Sequence, residues 1–419
     1  MRPLSVVPLS VIPLALLAAC SGSAELPVAR RQPVVPTFEA ALACTGAAGA
    51  GFSTLQIGFA GSEATAAKPG FDLRYTYIAG PLAPAGADPD CLSTTRTNAV
   101  GCGTQWWGTW QWDQDSPGQY VRDFVAGAAA DGLLPMITYY VILPASGVPE
   151  GTAEATQAAT DPAFMRSYLA DFRFLLRQIG SAPAIVHVEP DFWGYAQRAA
   201  ANGPPSGLAA AVASANPTDC GGQPNTFAGL GSCLVAMART YAPAAKIALH
   251  GSAWATNLDC ITNTDPGLDV AAEARKTADF LTAAAPLADL VVVDMADRDA
   301  GYYASIGRRT WLDATDRTLP TFAQAFRWSR ALADRAHKPL LWWQLPVGNT
   351  GLADVSGAWQ DNRVEYFFAH PDRVAASGAV GVAFGAGASS QTTPESDGGY
   401  LRACAAALGG VGGQTLCAP

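Results

Sequence analysis

Eight apolar runs of strand length, separated by longer segments, constrain the fold of this chain more than any other feature. They cover Leu55–Ala60, Leu73–Ile78, Leu134–Ile142, Ala184–Glu189, Lys246–Gly251, Leu290–Asp294, Pro339–Leu345 and Ala379–Phe384. Strands that are apolar along their whole length are typical of parallel sheets covered by helices, because such strands are buried on both faces. The eight runs predict an α/β fold with a single (β/α)8 barrel of the TIM type.

Amphipathic helical patterns lie between most of these runs. The clearest is Pro162–Ile179, where apolar side chains share one face behind Asp161, a residue type that favours the N-cap. Similar patterns cover Thr226–Tyr241, Val270–Ala285, Thr321–Ala336 and Trp359–Phe368. The connection from Ala60 to Asp72 is too short for a full helix, whereas Gly80–Gly132 is long. We therefore expect the barrel to be irregular near its start.

The N-terminus is typical of an exported lipoprotein. An apolar stretch from Leu4 to Leu17 ends in Leu17-Ala18-Ala19-Cys20, which resembles a lipobox with lipid on Cys20. The stretch is shorter than the roughly 20 apolar residues that a membrane span needs. Ser21 fits sorting to the outer membrane, facing the periplasm or the cell surface, so the lipid bilayer is an expected partner. A plain secretory signal is the alternative interpretation.

These features predict a signal peptide over residues 1–19, a tether rich in Pro, Ala and Val over 20–40, and one barrel domain over 41–419. Eight cysteines follow Cys20, and an even set in an exported chain predicts disulfides. Spacing leaves their pairing open. The pairs that would close short loops are Cys91 with Cys102, Cys220 with Cys233, and Cys404 with Cys417.

Charge narrows the range of partners. The formal net charge is −9, the sequence pI is about 4.9, and no run of Lys or Arg occurs, which argues against nucleic acid and acidic polymers as partners. The chain has 11 Trp and 12 Tyr residues. These rings fit both a large core and platforms for sugar rings, which have apolar faces. A neutral carbohydrate is therefore the expected ligand.

Polar and aromatic side chains collect where the predicted strands end. In a barrel of this type, the loops after the strands converge over one mouth, and function collects there. The candidate site residues at these ends are Tyr140, His187, Glu189, Asp191, Trp193, His250, Trp254, Asp294, Asp297, Trp342, Trp343, Gln344 and Asp397.

Carboxylates beside aromatic rings suit glycosidic bond hydrolysis, in which one acid protonates the leaving oxygen and a second activates water or attacks carbon. We expect Asp191 and Glu189 to be catalytic, with Asp397 or Asp294 as the second carboxylate. The remaining candidates would stack on sugar rings or bond their hydroxyls. The alternative for any single carboxylate is a helix cap or an arginine partner, and for any single Trp it is core packing.

Several short motifs occur in the order seen in glycoside hydrolase family 6, which holds inverting cellulases. They are Leu143-Pro144, Glu189-Pro190-Asp191, His250 with Trp254, and Glu395-Ser396-Asp397-Gly398. By this resemblance, Asp191 would be the general acid and Asp397 would match the proposed base. The chain departs from the family at Ala145-Ser146-Gly147, where the family has Arg-Asp-Cys, and at Ile247, where it has an aspartate. The family's barrel also has seven strands.

A second interpretation follows the retaining barrel glycosidases. Glu189, in a Glu-Pro pair after the fourth strand, would be the acid/base, and the seventh strand should supply a glutamate nucleophile. Gln344 stands there instead, and an amide cannot attack as a carboxylate does, so Asp294 or Asp297 would have to serve. Gln344 also supports a rival hypothesis, that of a carbohydrate-binding or adhesion lipoprotein without catalysis.

No cofactor is expected. His187, Glu189, Asp191, His250 and Asp294 could converge as metal ligands, but the chain has only four histidines and no His-x-His pair. The glycine-rich segments do not join a strand to a helix as nucleotide-binding loops do, and Ser252 lacks a Gly-x-Ser-x-Gly frame.

Overall fold

The computed structural model describes residues 34–38, 42–45, 51–61, 69–79, 82, 117–149, 151, 153–349, 359–385 and 392–417. The expected signal peptide, the lipidation site at Cys20, most of the tether, and the Cys91 and Cys102 pair lie outside these residues. Within the described part of the chain, no helix is both long enough and apolar enough to cross a bilayer.

Eight parallel strands close into a barrel in chain order, which confirms the predicted (β/α)8 fold. The barrel strands are β2 (Gln56–Phe59), β3 (Leu73–Ala79), β4 (Leu134–Tyr140), β5 (Ala184–Val188), β6 (Ala245–Gly251), β7 (Leu290–Val293), β8 (Leu340–Leu345) and β9 (Ala379–Phe384). Two further strands, β1 (Leu42–Thr45) and β10 (Gln414–Leu416), pair in parallel as a separate sheet that the sequence did not predict.

Helices cover the outside of the barrel. They are α1 (Gln119–Ala130), α2 (Ile142–Ser146), α3 (Pro162–Ile179), α4 (Phe192–Ala199), α5 (Pro217–Cys220), α6 (Phe227–Tyr241), α7 (Val270–Ala284), α8 (Ala300–Ser305), α9 (Phe322–Ala336), α10 (Arg363–Ala369), α11 (Pro371–Ala376) and α12 (Tyr400–Gly410), with 3₁₀ helices at Ala153–Thr160 and Pro205–Gly207.

Local chemistry explains where two of these helices begin. Asp161 accepts a hydrogen bond from the Ala163 N–H at 2.8 Å and caps α3, as predicted. In contrast, α10 begins at Arg363, four residues later than the predicted Trp359. The carbonyls of Trp359 and Gln360 accept hydrogen bonds from Asn349 and Gly301, so these two residues join neighbouring loops rather than a helical turn.

Alternation along the strands builds two cores. One face of each strand points into the barrel, where Tyr75, Met136, Ile185, Val292 and Trp343 belong to one buried cluster. The opposite faces pack under the helices in a larger cluster. This alternation positions the site, because polar side chains replace the apolar filling only near the ends of the inward-facing rows.

One of the expected disulfides is present among the described residues. Cys220 and Cys233 are bonded and join α5 to α6. Cys404 is instead a buried thiol on α12, within hydrogen-bond reach of Tyr400, so the expected bridge from Cys404 to Cys417 is not formed. Burial raises the pKa of the Cys404 thiol to about 12.

Candidate active site

A cavity of about 300 Å³ opens where β5, β6, β7 and β8 end. Four carboxylates, several aromatic rings and one arginine line it. The lining residues are Asp191, Tyr195, His250, Ala253, Trp254, Asp259, Ile261, Thr262, Asp294, Met295, Ala296, Asp297, Tyr303, Arg308, Thr310, Trp343 and Gln344. The structure therefore brings together seven of the predicted site residues: Asp191, His250, Trp254, Asp294, Asp297, Trp343 and Gln344.

Asp191 enters the cavity from a strained turn. Its φ is 64° and its ψ is −40°, and the Phe192 N–H donates to the Pro190 carbonyl at 2.7 Å across it. This is a γ-turn of the rare type, centred on a residue other than glycine. Gln344, on the far side of the cavity, also has a positive φ of 55°. Such strain collects at functional sites, where the surrounding structure must hold it.

Asp294 lies at the end of a row of hydrogen bonds. His250 Nε2 is 3.1 Å from Asp294 Oδ1, and His250 Nδ1 is 3.1 Å from His187 Nε2. His187 Nδ1 is in turn 3.2 Å from Thr138 Oγ1, deep in the barrel. His187 is fully buried and does not line the cavity, but it contacts His250, which does.

Tyr77 and Asp297 complete this side of the cavity. The Tyr77 hydroxyl donates to Gln344 Oε1 at 2.5 Å, and the Tyr303 hydroxyl donates to Asp297. Burial first, and then the nearby charges of Tyr75 and of Asp191, Asp294 and Asp297, raise the pKa of Tyr77. Three carboxylates therefore act on one hydroxyl and line the same cavity.

Two tryptophans provide the aromatic wall. Trp254 is half-buried, and Arg198 lies over its ring at 4.3 Å while donating to its carbonyl. Trp343 packs its ring edge-on against His187 and His250. Its indole N–H is buried and has no hydrogen-bond partner. An unpaired buried donor is costly, and it leaves this ring without a polar contact inside the barrel.

Gly194 makes room for Trp254. A Cβ atom at this position of α4 would lie 2.7 Å from Cη2 of Trp254 and 2.8 Å from Oγ of Ser252. We expect Gly194→Ala to displace the Trp254 ring and to lower the free energy of unfolding by about 1–3 kcal/mol, the usual cost of overpacking. Urea unfolding measures this. The matched control is Gly207→Ala, because a Cβ there meets no atom within 4 Å; equal stability of the two variants would contradict the expectation.

Glu189 does not line the cavity, contrary to the sequence interpretation. Its side chain is fully buried and accepts hydrogen bonds from the Val141 and Ile142 backbone N–H groups at 3.1–3.3 Å. A positive φ of 54° turns it toward the start of α2. Burial raises its pKa to about 8, against the effect of these hydrogen bonds. The carboxyl joins β5 to the end of β4.

Other predicted residues also lie outside the cavity lining. Asp397 accepts from the Gly399 and Leu401 N–H groups, both at 2.7 Å, and thereby caps α12. Trp193 donates to the Val188 carbonyl within the core, Trp342 packs against Phe326, and Tyr140 packs at the edge of the core. The contacts of Asp397 are those of a helix cap. The contacts of Trp193 and Trp342 are those of core packing.

Several residues that line or support the cavity were not predicted from the sequence: Thr138, Tyr195, Asp259, Tyr303, Arg308 and Tyr77. Thr138 and Tyr77 lie on inward-facing rows of β4 and β3, so alternation within those runs could have found them. The others lie in helices and loops after the strands. Asp259, for example, accepts from the Ile261 and Thr262 N–H groups and so shapes its own loop.

A buried group of three charged side chains, Asp299, Asp361 and Arg363, joins the loops beside the cavity; we call it the rim anchor. Arg363 Nη1 lies 2.6 Å from Asp361 Oδ2, and both side chains have 0% exposure. Asp299 accepts from the Gly348 N–H at 3.2 Å and the Thr392 N–H at 2.9 Å. The rim anchor therefore ties together the loops that follow β7, β8 and β9.

Buried titratable groups predict how stability depends on pH. Burial, and then the neighbouring Asp361, raises the pKa of Asp299 to about 7, and that of Glu189 is about 8. A raised carboxyl pKa gives stability that is complete below the unfolded value and is lost as pH rises through the folded value. Burial, followed by the charge of His250, lowers the pKa of His187, so its contribution is lost as pH falls below about 6.5.

Because Glu189 and Asp299 lose their protons more readily in the unfolded chain than in the folded one, we expect the free energy of unfolding to fall by about 1–3 kcal/mol between pH 6.5 and 8. Urea unfolding at several pH values measures it. Glu189→Gln should make the free energy of unfolding depend less steeply on pH above pH 6.5, whatever its effect on stability at pH 6.5. Stability that stays constant or rises from pH 6.5 to 8 would contradict the expectation.

Comparisons with known proteins show resemblance only at the level of solved structures. No family model and no curated protein matches the chain. An endo-β-1,4-mannanase of glycoside hydrolase family 26 from Cellulomonas fimi shares 11% identity over 84% of this chain and 70% of its own, with a TM-score of 0.47. A family 26 β-mannanase from Bacteroides ovatus shares 8% over 84% and 88%, with a TM-score of 0.44. An endoglucanase from Mycobacterium tuberculosis shares 15% over 57% and 62%, with a TM-score of 0.29. Similarity at this level assigns neither a family nor an activity.

Proposed function

We propose that this chain hydrolyses glycosidic bonds in a neutral polysaccharide or oligosaccharide. The observation that supports this most directly is the cavity itself, where Asp191 and Asp294 face one space beside Trp254 and Trp343. Hydrolysis of an acetal needs one carboxylic acid to protonate the leaving oxygen and one carboxylate to activate water or attack carbon. The sugar faces would pack on the aromatic rings that line the cavity.

Charge supports a neutral substrate. The cavity is lined by Asp191, Asp259, Asp294 and Asp297 against Arg308 as its lining arginine. Four carboxylates against one arginine in the same cavity repel an anionic chain such as a polyuronate. In the part of the chain that the structure describes, no group of three His, Cys, Asp or Glu side chains has metal-binding geometry. The proposed chemistry needs only protein side chains and water.

Release of reducing ends from a panel of neutral β-glucans, α-glucans, mannans and xylans, with a polyuronate as the charged comparison, tests the proposal. The protein should begin after Cys20. We expect cleavage of at least one neutral glycan and none of the polyuronate. If no neutral glycan is cleaved at millimolar chain ends and micromolar protein, hydrolysis of this substrate class is excluded.

The second candidate function is carbohydrate binding without catalysis. Gln344 favours it, because an amide stands at the end of β8 and is engaged by the Tyr77 hydroxyl. Equilibrium binding to the same panel separates the two functions. Binding that is retained by a variant carrying both Asp191→Asn and Asp294→Asn, with no cleavage by the wild type, would favour the binding protein.

The location of the protein is a separate part of the proposal and rests on Leu17-Ala18-Ala19-Cys20. We propose that the chain is an outer-membrane lipoprotein anchored through Cys20. Cys20→Ser should then move the protein from the membrane fraction to a soluble or unprocessed form and abolish incorporation of labelled fatty acid. Equal fatty-acid labelling of the two proteins would contradict it.

A further inference from the structure

Three hydrogen bonds link Thr138, His187, His250 and Asp294 in a row. The carboxylate at the end of the row fixes which atom donates in each of them. An ionised carboxylate can only accept, so His250 must donate its Nε2 proton to Asp294. A neutral His250 then has a lone pair on Nδ1, which accepts from the Nε2 proton of His187. His187 Nδ1 accepts in turn from the Thr138 hydroxyl. All three hydrogen bonds therefore point toward Asp294.

Burial makes this arrangement stable. His187 has 0% exposure and Thr138 has 0% exposure, so no water competes for either end of the inner hydrogen bond. Burial and the neighbouring His250 lower the pKa of His187, which keeps its ring neutral. A neutral ring has one donor and one acceptor, and the Thr138 hydroxyl, which can donate, leaves His187 Nε2 as the donor.

We propose that Thr138 and His187 are positioning residues that fix the tautomer of His250, so that its Nε2–H stays directed at Asp294 while Asp191 serves as the acid of the site. The inference rests on the proposed function for the catalytic roles of the two aspartates, but not for the direction of the hydrogen bonds. His187 does not line the cavity, but it contacts two residues that do, His250 and Trp343.

Other titratable groups face Asp294 from neighbouring elements. Asp191 approaches from the loop after β5, Asp297 from the loop after β7, and Tyr77 from β3, while Arg308 lines the cavity as well. Among these groups the hydrogen bond from His187 fixes the ring of His250, because His250 cannot accept a proton on Nδ1 while His187 donates to it.

Histidine-selective ¹⁵N NMR tests the direction without any substrate. The chain has four histidines, so the resonances can be assigned by single substitution. We expect His187 and His250 each to carry their proton on Nε2 between pH 5.5 and 8. His187→Leu removes the donor, and in that variant the Nδ1 signal of His250 should move toward its protonated value as pH falls. His187→Gln keeps an N–H donor and should restore the wild-type behaviour.

The pH dependence of kcat/KM on a cleaved glycan gives the second readout. In His187→Leu, the acid limb should move up by about one pH unit, because the pair formed by His250 and Asp294 gains a proton more easily. His187→Gln should return it, and Thr138→Val should shift it by less in the same direction. Circular dichroism confirms that each variant is folded.

The outcomes separate the two proposals. A proton on Nδ1 of His250 in the wild type, or identical titration of the Leu and Gln variants, would overturn the inference. If the NMR result is as expected and no glycan is cleaved, the proposed function fails while the fixed tautomer of His250 stands. An acid limb that does not move in a cleaving His187→Leu variant would refute the positioning role.

Discussion

Asp191→Asn and Asp294→Asn are each expected to lower kcat on a cleaved glycan by about 10²–10⁴-fold, the usual contribution of a group that transfers a proton in the transition state. An amide at either position has nearly the same shape as the acid but can neither deliver nor take up that proton. Both side chains line the cavity, and Asp294 is held by His250 at 3.1 Å. Initial rates at saturating substrate measure the effect.

Substitutions at two further aspartates test whether the loss of kcat is specific to the carboxylates of the cavity. Asp131→Asn, at an exposed position between α1 and β4, is the matched control and should leave kcat unchanged. Asp397→Asn weakens the cap of α12 and should lower stability, but it should leave the kcat of the folded protein close to that of the wild type. If Asp397→Asn abolished turnover and Asp294→Asn did not, the base would be the residue that the resemblance to family 6 implied.

Arg363→Leu should lower the free energy of unfolding by about 3–5 kcal/mol, because it leaves a buried carboxylate without its partner. Asp361 and Arg363 have 0% side-chain exposure and are 2.6 Å apart, and Arg363 Nη2 also donates to the Thr310 carbonyl at 3.0 Å. Asp299 lies close enough to Asp361 for each charge to disfavour the other. Urea unfolding at pH 7 measures the loss.

Two controls accompany this experiment. Arg335→Leu breaks an ion pair with Asp279 whose side chains are both 55% exposed, and it should cost less than about 1 kcal/mol. A second substitution, Asp361→Asn, added to Arg363→Leu should recover part of the loss because it removes the unpaired charge. A loss in Arg363→Leu no larger than that in Arg335→Leu would contradict burial as the cause.

The strands could be predicted from the sequence because a parallel barrel buries both faces of each strand, and a continuous apolar run is a direct record of that burial. Ala379–Phe384 agrees with the prediction residue for residue, and the other strand boundaries shift by no more than two residues. The pairing of β1 with β10 could not be predicted in this way. Their three- and four-residue segments are too short to carry a pattern.

The site could be predicted in part, because the rule that polar residues at strand ends face the mouth depends only on strand position. Asp191, Asp294 and His250, which this rule selects, line the cavity. The rule failed for Glu189, where a backbone with positive φ turns the side chain away from the barrel axis. It also failed for Asp397, whose loop forms a helix cap. Neither the turn nor the cap leaves a signature in hydrophobic periodicity.

The rim anchor also limits how this barrel can be altered. Loops at the mouth of such barrels are commonly exchanged one at a time to create new activities, since each usually contacts the scaffold more than its neighbours. Here Asp299, Gly348 and Thr392 belong to three successive loops that share one buried set of charges. A graft of one of these loops from another barrel would remove a hydrogen-bond partner or a charge from this buried set. In a designed barrel, the three loops would therefore have to be exchanged together.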